Sequence, residues 1–79
     1  MEEKLLQLII DITEEPDIAA DMDIDLFDSA LMDSIAYLEL LVEIEAQFGI
    51  AIQPSEYERD EMNTPRKIID QVMARANNA

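Results

Sequence analysis

Apolar residues recur with helical spacing near the start of the chain. Pro16 limits this pattern, because the residue before a proline is disfavoured in the helical conformation. The spacing therefore predicts a first helix over residues 2–14. Four apolar side chains fall at i, i+3, i+4 and i+7, on one face of that helix: Leu5, Leu8, Ile9 and Ile12.

Two further segments combine helical periodicity with end signals. Residues 34–48 follow Asp33, a favourable N-cap, and precede Gly49, which stands where a left-handed residue commonly ends a helix. Residues 65–76 follow Thr64, another N-cap, and begin with a proline at the first helical position. These segments are predicted as the second and last long helices.

The rest of the pattern completes an all-α fold. Ser55 and Glu58 have the spacing of a capping box, which predicts a short helix over residues 55–60. Residues 50–52 have no partner for a strand, and residues 76–79 are expected to fray. The prediction is a small helical bundle of three longer helices and one short helix.

Residues 15–33 form a long connection that is both acidic and apolar. Its aspartates suit solvent, yet Leu26, Phe27 and Leu31 are too large and apolar for a solvated linker. We expect these three side chains to pin an ordered loop to the core.

The second predicted helix carries two apolar stripes. One stripe suffices for the core of a small bundle. The other therefore meets either the acidic loop or a partner that offers aliphatic and basic side chains. At about 100° per residue, the wider stripe consists of Tyr37, Leu40, Leu41, Ile44 and Phe48. The second stripe consists of Ile35, Leu38 and Val42, and Glu39 and Glu45 flank it.

Composition limits the chemistry. Lys and Arg number 5 and Asp and Glu number 19, giving a formal net charge of −14. Nucleic acid and anionic membranes are disfavoured by repulsion, whereas partners with basic patches are favoured. With no cysteine and no histidine, the chain lacks the residues for disulfides, Cys or His metal sites and Ser-His catalysis.

The length of the chain and its first residues indicate the number of domains and the cellular location to expect. A chain of 79 residues predicts one domain over residues 1–79. Its acidic beginning and interrupted apolar runs resemble neither a secretory signal nor a membrane span. We expect a cytoplasmic monomer.

Ser34 is the candidate functional residue. A serine at a helix start is most often only a cap or an exposed first-turn residue. Here, however, the positive end of a helix favours a phosphate, and an exposed hydroxyl there can carry a phosphodiester with a flexible arm. Such an arm supplies the thiol that the cysteine-free chain lacks.

The other clusters of charged residues give weaker evidence for a functional site. The aspartates at 21, 23 and 25 mimic the start of a calcium loop, but Leu26 replaces the glycine and Met32 the terminal glutamate, so no metal site is predicted. Arg59, Arg66 and Lys67 form a small basic group. We interpret it as local charge balance against Glu56, Glu58 and Asp60, or else as a second contact with an acidic partner.

The whole pattern resembles the acyl and peptidyl carrier protein family. The resemblance covers nearly the whole chain and includes Asp33-Ser34-Ile35, Glu39-Leu40, the run from Glu45 to Ile50 and the acidic loop. Within the family it is most similar to the D-alanyl carrier proteins of teichoic-acid alanylation, through residues 25–34, 41–45, 55–60 and 63–69. After the serine, those carriers tend to have Met, Gly and Thr, whereas this chain has Ile35, Ala36 and Tyr37.

The resemblance implies an acyl-carrier-like fold and a non-catalytic role. It implies that a phosphopantetheinyl transferase moves 4′-phosphopantetheine from coenzyme A onto Ser34, with Asp33 presenting the site. A ligase then loads D-alanine as a thioester, and an acyltransferase at the membrane takes it onward to the cell envelope. Partners dock on Ile35, Leu38 and Val42, with Glu39 and Glu45 beside them.

Two alternatives remain open. The first is an acyl or aminoacyl carrier of a fatty-acid, polyketide or nonribosomal-peptide pathway. The second is a plain acidic interaction domain, in which Ser34 is an unmodified cap and the second stripe binds a partner helix.

Overall fold

The first helix follows its sequence pattern closely. The computed structural model describes residues 1–77, and in it α1 spans Glu2–Thr13. The glutamates of its first turn lie at the positive end of the helix dipole. Its buried face is formed by Leu5, Leu8 and Ile9. Glu14 ends the helix in a left-handed conformation with φ 58°, and its N–H donates to the carbonyl of Ile10.

The second helix, α2, spans Ser34–Phe48, as predicted. Asp33 caps it, because a carboxylate oxygen accepts the Ala36 N–H at 2.8 Å. Gly49 ends it at φ 70°, where a residue without a side chain avoids strain. Both ends are therefore set by the residues that the sequence indicates.

The acidic connection between α1 and α2 is ordered, as expected. It opens with a 3-10 turn over Pro16–Ala20 and then buries Leu26 completely. The Leu26 N–H donates to the Asn63 carbonyl at 2.7 Å, and the Met32 N–H donates to the Leu26 carbonyl at 2.9 Å. The side chains that pin the loop differ in part from the prediction. Ile18 and Met32 are buried together with Leu26, whereas Phe27 and Leu31 are only half-buried.

The predicted short helix over residues 55–60 is wrong. The segment instead forms two 3-10 turns, Pro54–Glu56 and Arg59–Glu61, separated by extended backbone at Tyr57. Each turn is stabilised by its own glutamate. Glu56 accepts the Gln53 N–H, and Glu61 accepts the Glu58 N–H at 2.9 Å. The Ser55–Glu58 box is thus replaced by two boxes in another register.

The last helix, α3, spans Pro65–Asn77. Thr64 caps it by accepting the Lys67 N–H on its hydroxyl at 3.1 Å. The predicted fraying of residues 76–79 is not seen at 76 and 77, which belong to α3, and 78 and 79 lie outside the described residues. Its inward face consists of Ile68, Ile69 and Val72, which are buried, and Met73, which is partly buried.

Arg75 joins α3 to the first of the two turns and to the residues on either side of it. Its guanidinium donates to the Tyr57 hydroxyl at 3.0 Å and to the Ala51 carbonyl at 2.9 Å, and it pairs with Glu56. These bonds fasten the Tyr57 side chain and the Ala51 backbone to α3.

The described residues form an all-α fold with no strand. Helices α1, α2 and α3 surround one apolar core, into which the acidic loop and the 50–64 segment also insert side chains. Within residues 1–77, no helix is long and apolar enough to cross a membrane. The largest fully buried side chains are Leu5, Ile9, Ile18, Leu26, Leu40, Ile44, Met62, Pro65, Ile68 and Val72.

Candidate functional site

Ser34 is the first residue of α2, and its side chain is exposed. The cap of this helix is Asp33, not Ser34. Within residues 1–77 the Ser34 hydroxyl forms no hydrogen bond, so it is not committed to the fold. Ser34 is therefore not the cap but an exposed first-turn residue, and its hydroxyl is accessible to solvent.

The second apolar stripe of α2 faces solvent. Ile35 is 68% exposed, Leu38 46% and Val42 66%, whereas Leu40 and Ile44 on the other stripe are fully buried. The acidic loop does not cover the exposed stripe. Most large aliphatic side chains of this small protein are buried, so three neighbouring exposed ones form an unusual apolar patch.

The exposed stripe forms one wall of an open groove between α1 and α2. Leu8 and Ile12 of α1 contribute the opposite wall, and the groove has a volume of about 750 Å³. Of the two predicted flanking glutamates, Glu39 lines the groove, while Glu45 is exposed and lies outside it. The rest of the acidic rim was not predicted and consists of Asp11, Glu14 and Glu43.

Ser34 also opens onto a smaller pocket of about 200 Å³. Phe27 and Tyr37 form an aromatic wall, with ring centroids 5.8 Å apart and planes at 63°. The Arg59 guanidinium carbon lies 4.7 Å from the centre of the Phe27 ring, a cation–π contact. Burial raises the pKa of Tyr37 above its ordinary value of 10.0. This pocket was not predicted.

Asp25 fixes the loop that leads to Ser34. One carboxylate oxygen accepts the N–H groups of Phe27 and Asp28 at 3.0 and 2.9 Å, and the other accepts the Asn63 amide at 2.9 Å. Donation from the Asp28 N–H is the largest influence and lowers the pKa of Asp25, with further lowering from Asn63 and Phe27. The carboxylate thus serves as a structural acceptor.

The small basic group is arranged differently from the predicted local balance. Arg66 reaches back to the acidic loop and pairs with Asp23 at 2.8 Å. Lys67 donates to the Asp60 carbonyl at 2.7 Å and to the Asn63 side chain at 3.1 Å. In the described part of the chain, no carboxylate lies within ion-pair distance of Arg59.

These features fit a phosphodiester-linked arm at Ser34. The hydroxyl is exposed, free of other bonds and located at the start of a long helix, whose N–H groups favour phosphate. The aromatic pocket beside it offers an apolar face, and Arg59 offers a cation. The exposed stripe begins at the next residue, Ile35.

Comparison with known proteins agrees with this geometry. The family model described as "Phosphopantetheine attachment site" matches residues 3–72. The D-alanyl carrier protein of Enterococcus faecalis is 42% identical over 74 residues, covering 94% of this chain and 95% of that protein. The D-alanyl carrier proteins of Listeria innocua and Latilactobacillus sakei are 42% and 41% identical, covering 91% and 87% of this chain and 92% and 88% of their own lengths.

The family resemblance drawn from the sequence is confirmed at this level of identity and coverage. The prosthetic group that the family implies is 4′-phosphopantetheine, attached covalently. An exposed serine at a helix start, an uncovered stripe beside it and these relatives lead to one conclusion: the chain belongs to the phosphopantetheine-bearing carrier proteins, among the D-alanyl carrier proteins.

Proposed function

We propose that Ser34 carries the 4′-phosphopantetheine and that this chain holds D-alanine as a thioester on the arm's thiol. A ligase activates the amino acid and loads it, and the carrier delivers it for D-alanylation of teichoic acid in the cell envelope. The observation that carries this proposal is the exposed and uncommitted Ser34 hydroxyl at the start of α2. The names of the relatives support the choice of D-alanine.

The chain's own residues position and present the arm. Asp33 caps α2 and so fixes the backbone that holds Ser34, while its side chain is exposed and can be contacted by a phosphopantetheinyl transferase. Asp25 fixes the preceding loop through its three accepted hydrogen bonds. The arm itself supplies the thiol that forms the thioester with the cargo.

The docking surface is the exposed stripe of α2. Ile35, Leu38 and Val42 offer an aliphatic surface, and Glu39 and Glu45 offer negative charge near it. A net charge of −14 attracts partners with basic patches over long range. Three partners would use this surface in turn: the transferase with coenzyme A, the D-alanine-activating ligase and an acyltransferase at the membrane.

The carrier would act in the cytoplasm as a monomer. In this role it is a substrate of the transferase and of the ligase rather than a catalyst. Loading and delivery require the same stripe to bind successive enzymes, so each complex must be short-lived, as expected for a small contact surface steered by charge.

The test is the intact mass of the protein purified from its own cells, with the modified peptide mapped. The expected result is a phosphopantetheine increment on Ser34, with an additional alanyl mass that hydroxylamine removes. Ser34→Ala is the matched control and should give the bare chain, while Ser29 and Ser55 remain unmodified.

Other outcomes count against the proposal in different ways. A long acyl increment on Ser34 would reassign the cargo to a fatty-acid pathway. A bare mass that stays unchanged after incubation with a promiscuous transferase and coenzyme A would contradict Ser34 as the attachment site and favour a plain interaction domain.

A further inference from the structure

Arg59 is an unusual cation in this chain because of where it lies. Between Lys4 and Arg59 the sequence contains no Lys or Arg, so neither the acidic loop nor α2 brings a positive side chain to the site. The fold nevertheless places Arg59 in the wall of the pocket that Ser34 also lines. Its guanidinium is held over the Phe27 ring at 4.7 Å.

The cations near Arg59 in the sequence or the fold are already engaged. Arg66 pairs with Asp23, Arg75 pairs with Glu56 and donates to Tyr57, and Lys67 donates to Asp60 and Asn63. Among residues 1–77, Arg59 has a contact with an aromatic ring but no carboxylate partner. A stacked guanidinium keeps its N–H groups available at its edge, where they can bind an anion.

The immediate surroundings of Ser34 make such an anion site useful. Asp33 is the neighbouring residue, and Glu58 lines the same pocket, so a phosphate added to Ser34 enters a negative environment. A guanidinium offers a planar fork that matches two phosphate oxygens. Phe27 and Tyr37 offer an aromatic surface for an apolar group that follows the phosphate.

We propose that Arg59 binds the phosphodiester that joins the prosthetic group to Ser34, while Phe27 and Tyr37 contact the branched apolar part next to the phosphate. The aromatic pair and the cation form one subsite, which holds the first part of the arm against the protein and leaves its thiol end free. This inference rests on the proposed attachment at Ser34.

The experiment uses the full chain, converted to the modified form with a transferase and coenzyme A, and compares wild type with Arg59→Gln. Arg66→Gln is the matched control, because it removes one positive charge from an exposed arginine that pairs elsewhere. Three quantities are measured: the ³¹P shift of the phosphodiester, the nuclear Overhauser contacts from the arm's methyl groups to aromatic rings, and the change in Tm upon modification.

In wild type and Arg66→Gln, we expect methyl contacts to the Phe27 and Tyr37 rings and a common ³¹P shift. In Arg59→Gln, these contacts should weaken and the ³¹P shift should move. Attachment of the prosthetic group should also lower the Tm of Arg59→Gln by about 2–4 °C relative to its effect on the Tm of wild type. This is the size expected for loss of one exposed charge pair. Arg59→Lys keeps the positive charge but lacks the planar pair of N–H donors. Its ³¹P shift, ring contacts and Tm change should lie between those of wild type and Arg59→Gln.

Equal ³¹P shifts, equal ring contacts and equal Tm changes in all the variants would overturn the Arg59 subsite while leaving the carrier function in place. Equal effects of Arg59→Gln and Arg66→Gln would also overturn the Arg59 subsite, because the effects would then arise only from the change in net charge. Absence of the mass increment on Ser34 in wild type would overturn this inference together with the proposed function.

Discussion

Asp33 and Ser34 are neighbours with separate tasks. The carboxylate of Asp33 accepts the Ala36 N–H and holds the first turn of α2, which leaves the Ser34 hydroxyl without a structural bond. Because the cap is provided one residue earlier, Ser34 can be modified without loss of the helix start. The sequence indicates this division, since Asp is a favoured N-cap and the residue after it is the first of the helix.

Replacement of Asp33 should separate its two roles. Asp33→Ala removes the cap and should lower the free energy of unfolding by about 1 kcal/mol. Asp33→Asn keeps an acceptor oxygen and should remain close to wild type in stability, but the transferase should modify it more slowly. Urea unfolding and the rate of the mass increment measure the two effects. Asp70→Asn, an exposed change on α3, is the charge control. Equal modification rates for all three variants would contradict a role of the Asp33 charge.

Asp25 gives the loop a dependence on pH. Its pKa lies below the ordinary value of 3.8, chiefly because the Asp28 N–H donates to the carboxylate. A lowered pKa in the folded state means that the carboxylate stabilises the fold above its ordinary pKa, and that this contribution is lost as the pH falls through the lower folded value. We therefore expect Asp25→Asn to be less stable than wild type at pH 7, with the difference closing below about pH 3.8. Urea unfolding at several pH values measures it, and a constant difference would contradict the role of the charge.

Helix α2 has one face in the apolar core and another exposed to solvent. Leu40, Leu41 and Ile44 form the core, while Ile35 and Val42 remain mostly exposed. The two stripes are visible in the sequence, but which of them is buried is not, because helical periodicity does not say what lies opposite each face. The packing of α1 and the route of the acidic loop decide it.

This arrangement predicts opposite effects for two leucines on one helix. Leu38→Glu changes the exposed stripe and should leave unfolding within about 0.5 kcal/mol of wild type, yet D-alanine loading by the ligase should fail. Leu40→Ala removes a fully buried side chain and should cost about 2–5 kcal/mol. Ala74→Glu adds the same charge on an exposed position of α3 and should load normally. If Leu38→Glu unfolded the protein, Leu38 would belong to the core.

The segment from 54 to 61 shows where local patterns are insufficient. Ser55 and Glu58 fit a capping box, but Glu56 and Glu61 fit boxes in a different register, and the sequence does not rank them. In the fold, Arg75 from the distant helix α3 pairs with Glu56 and donates to the Tyr57 hydroxyl, contacts that local sequence patterns do not contain. The pocket beside Ser34 escaped prediction for a similar reason, since Phe27, Tyr37 and Arg59 come from three segments that only the folded chain brings together.

The whole molecule is governed by its negative charge. With a net charge of −14 and two ion pairs within the described residues, repulsion among carboxylates acts against the compact state. The same charge attracts basic partners. Salt screens both effects over a Debye length of about 10 Å at 0.1 M.

Salt should therefore change stability and association in opposite directions. Raising the ionic strength from about 0.05 to 0.5 M should raise Tm, because repulsion within the fold is screened. It should also slow binding to the ligase by about tenfold or more, because steering is lost. Calorimetry and stopped-flow association measure the two quantities. A fall in Tm over this range would mean that attractive pairs outweigh repulsion.

The hydrogen bonds from Arg75 and Lys67 to the 51–63 segment limit the entropy that the protein loses when it binds the arm. Arg75 fastens one end of this segment and Lys67 the other, so the wall that carries Arg59 is already ordered before any group is attached to Ser34. A preorganised wall requires little further ordering when it receives a ligand. The unmodified and modified proteins should accordingly share one backbone conformation. Successive enzymes would then meet the same protein surface and would distinguish the forms of the carrier by the group on the arm.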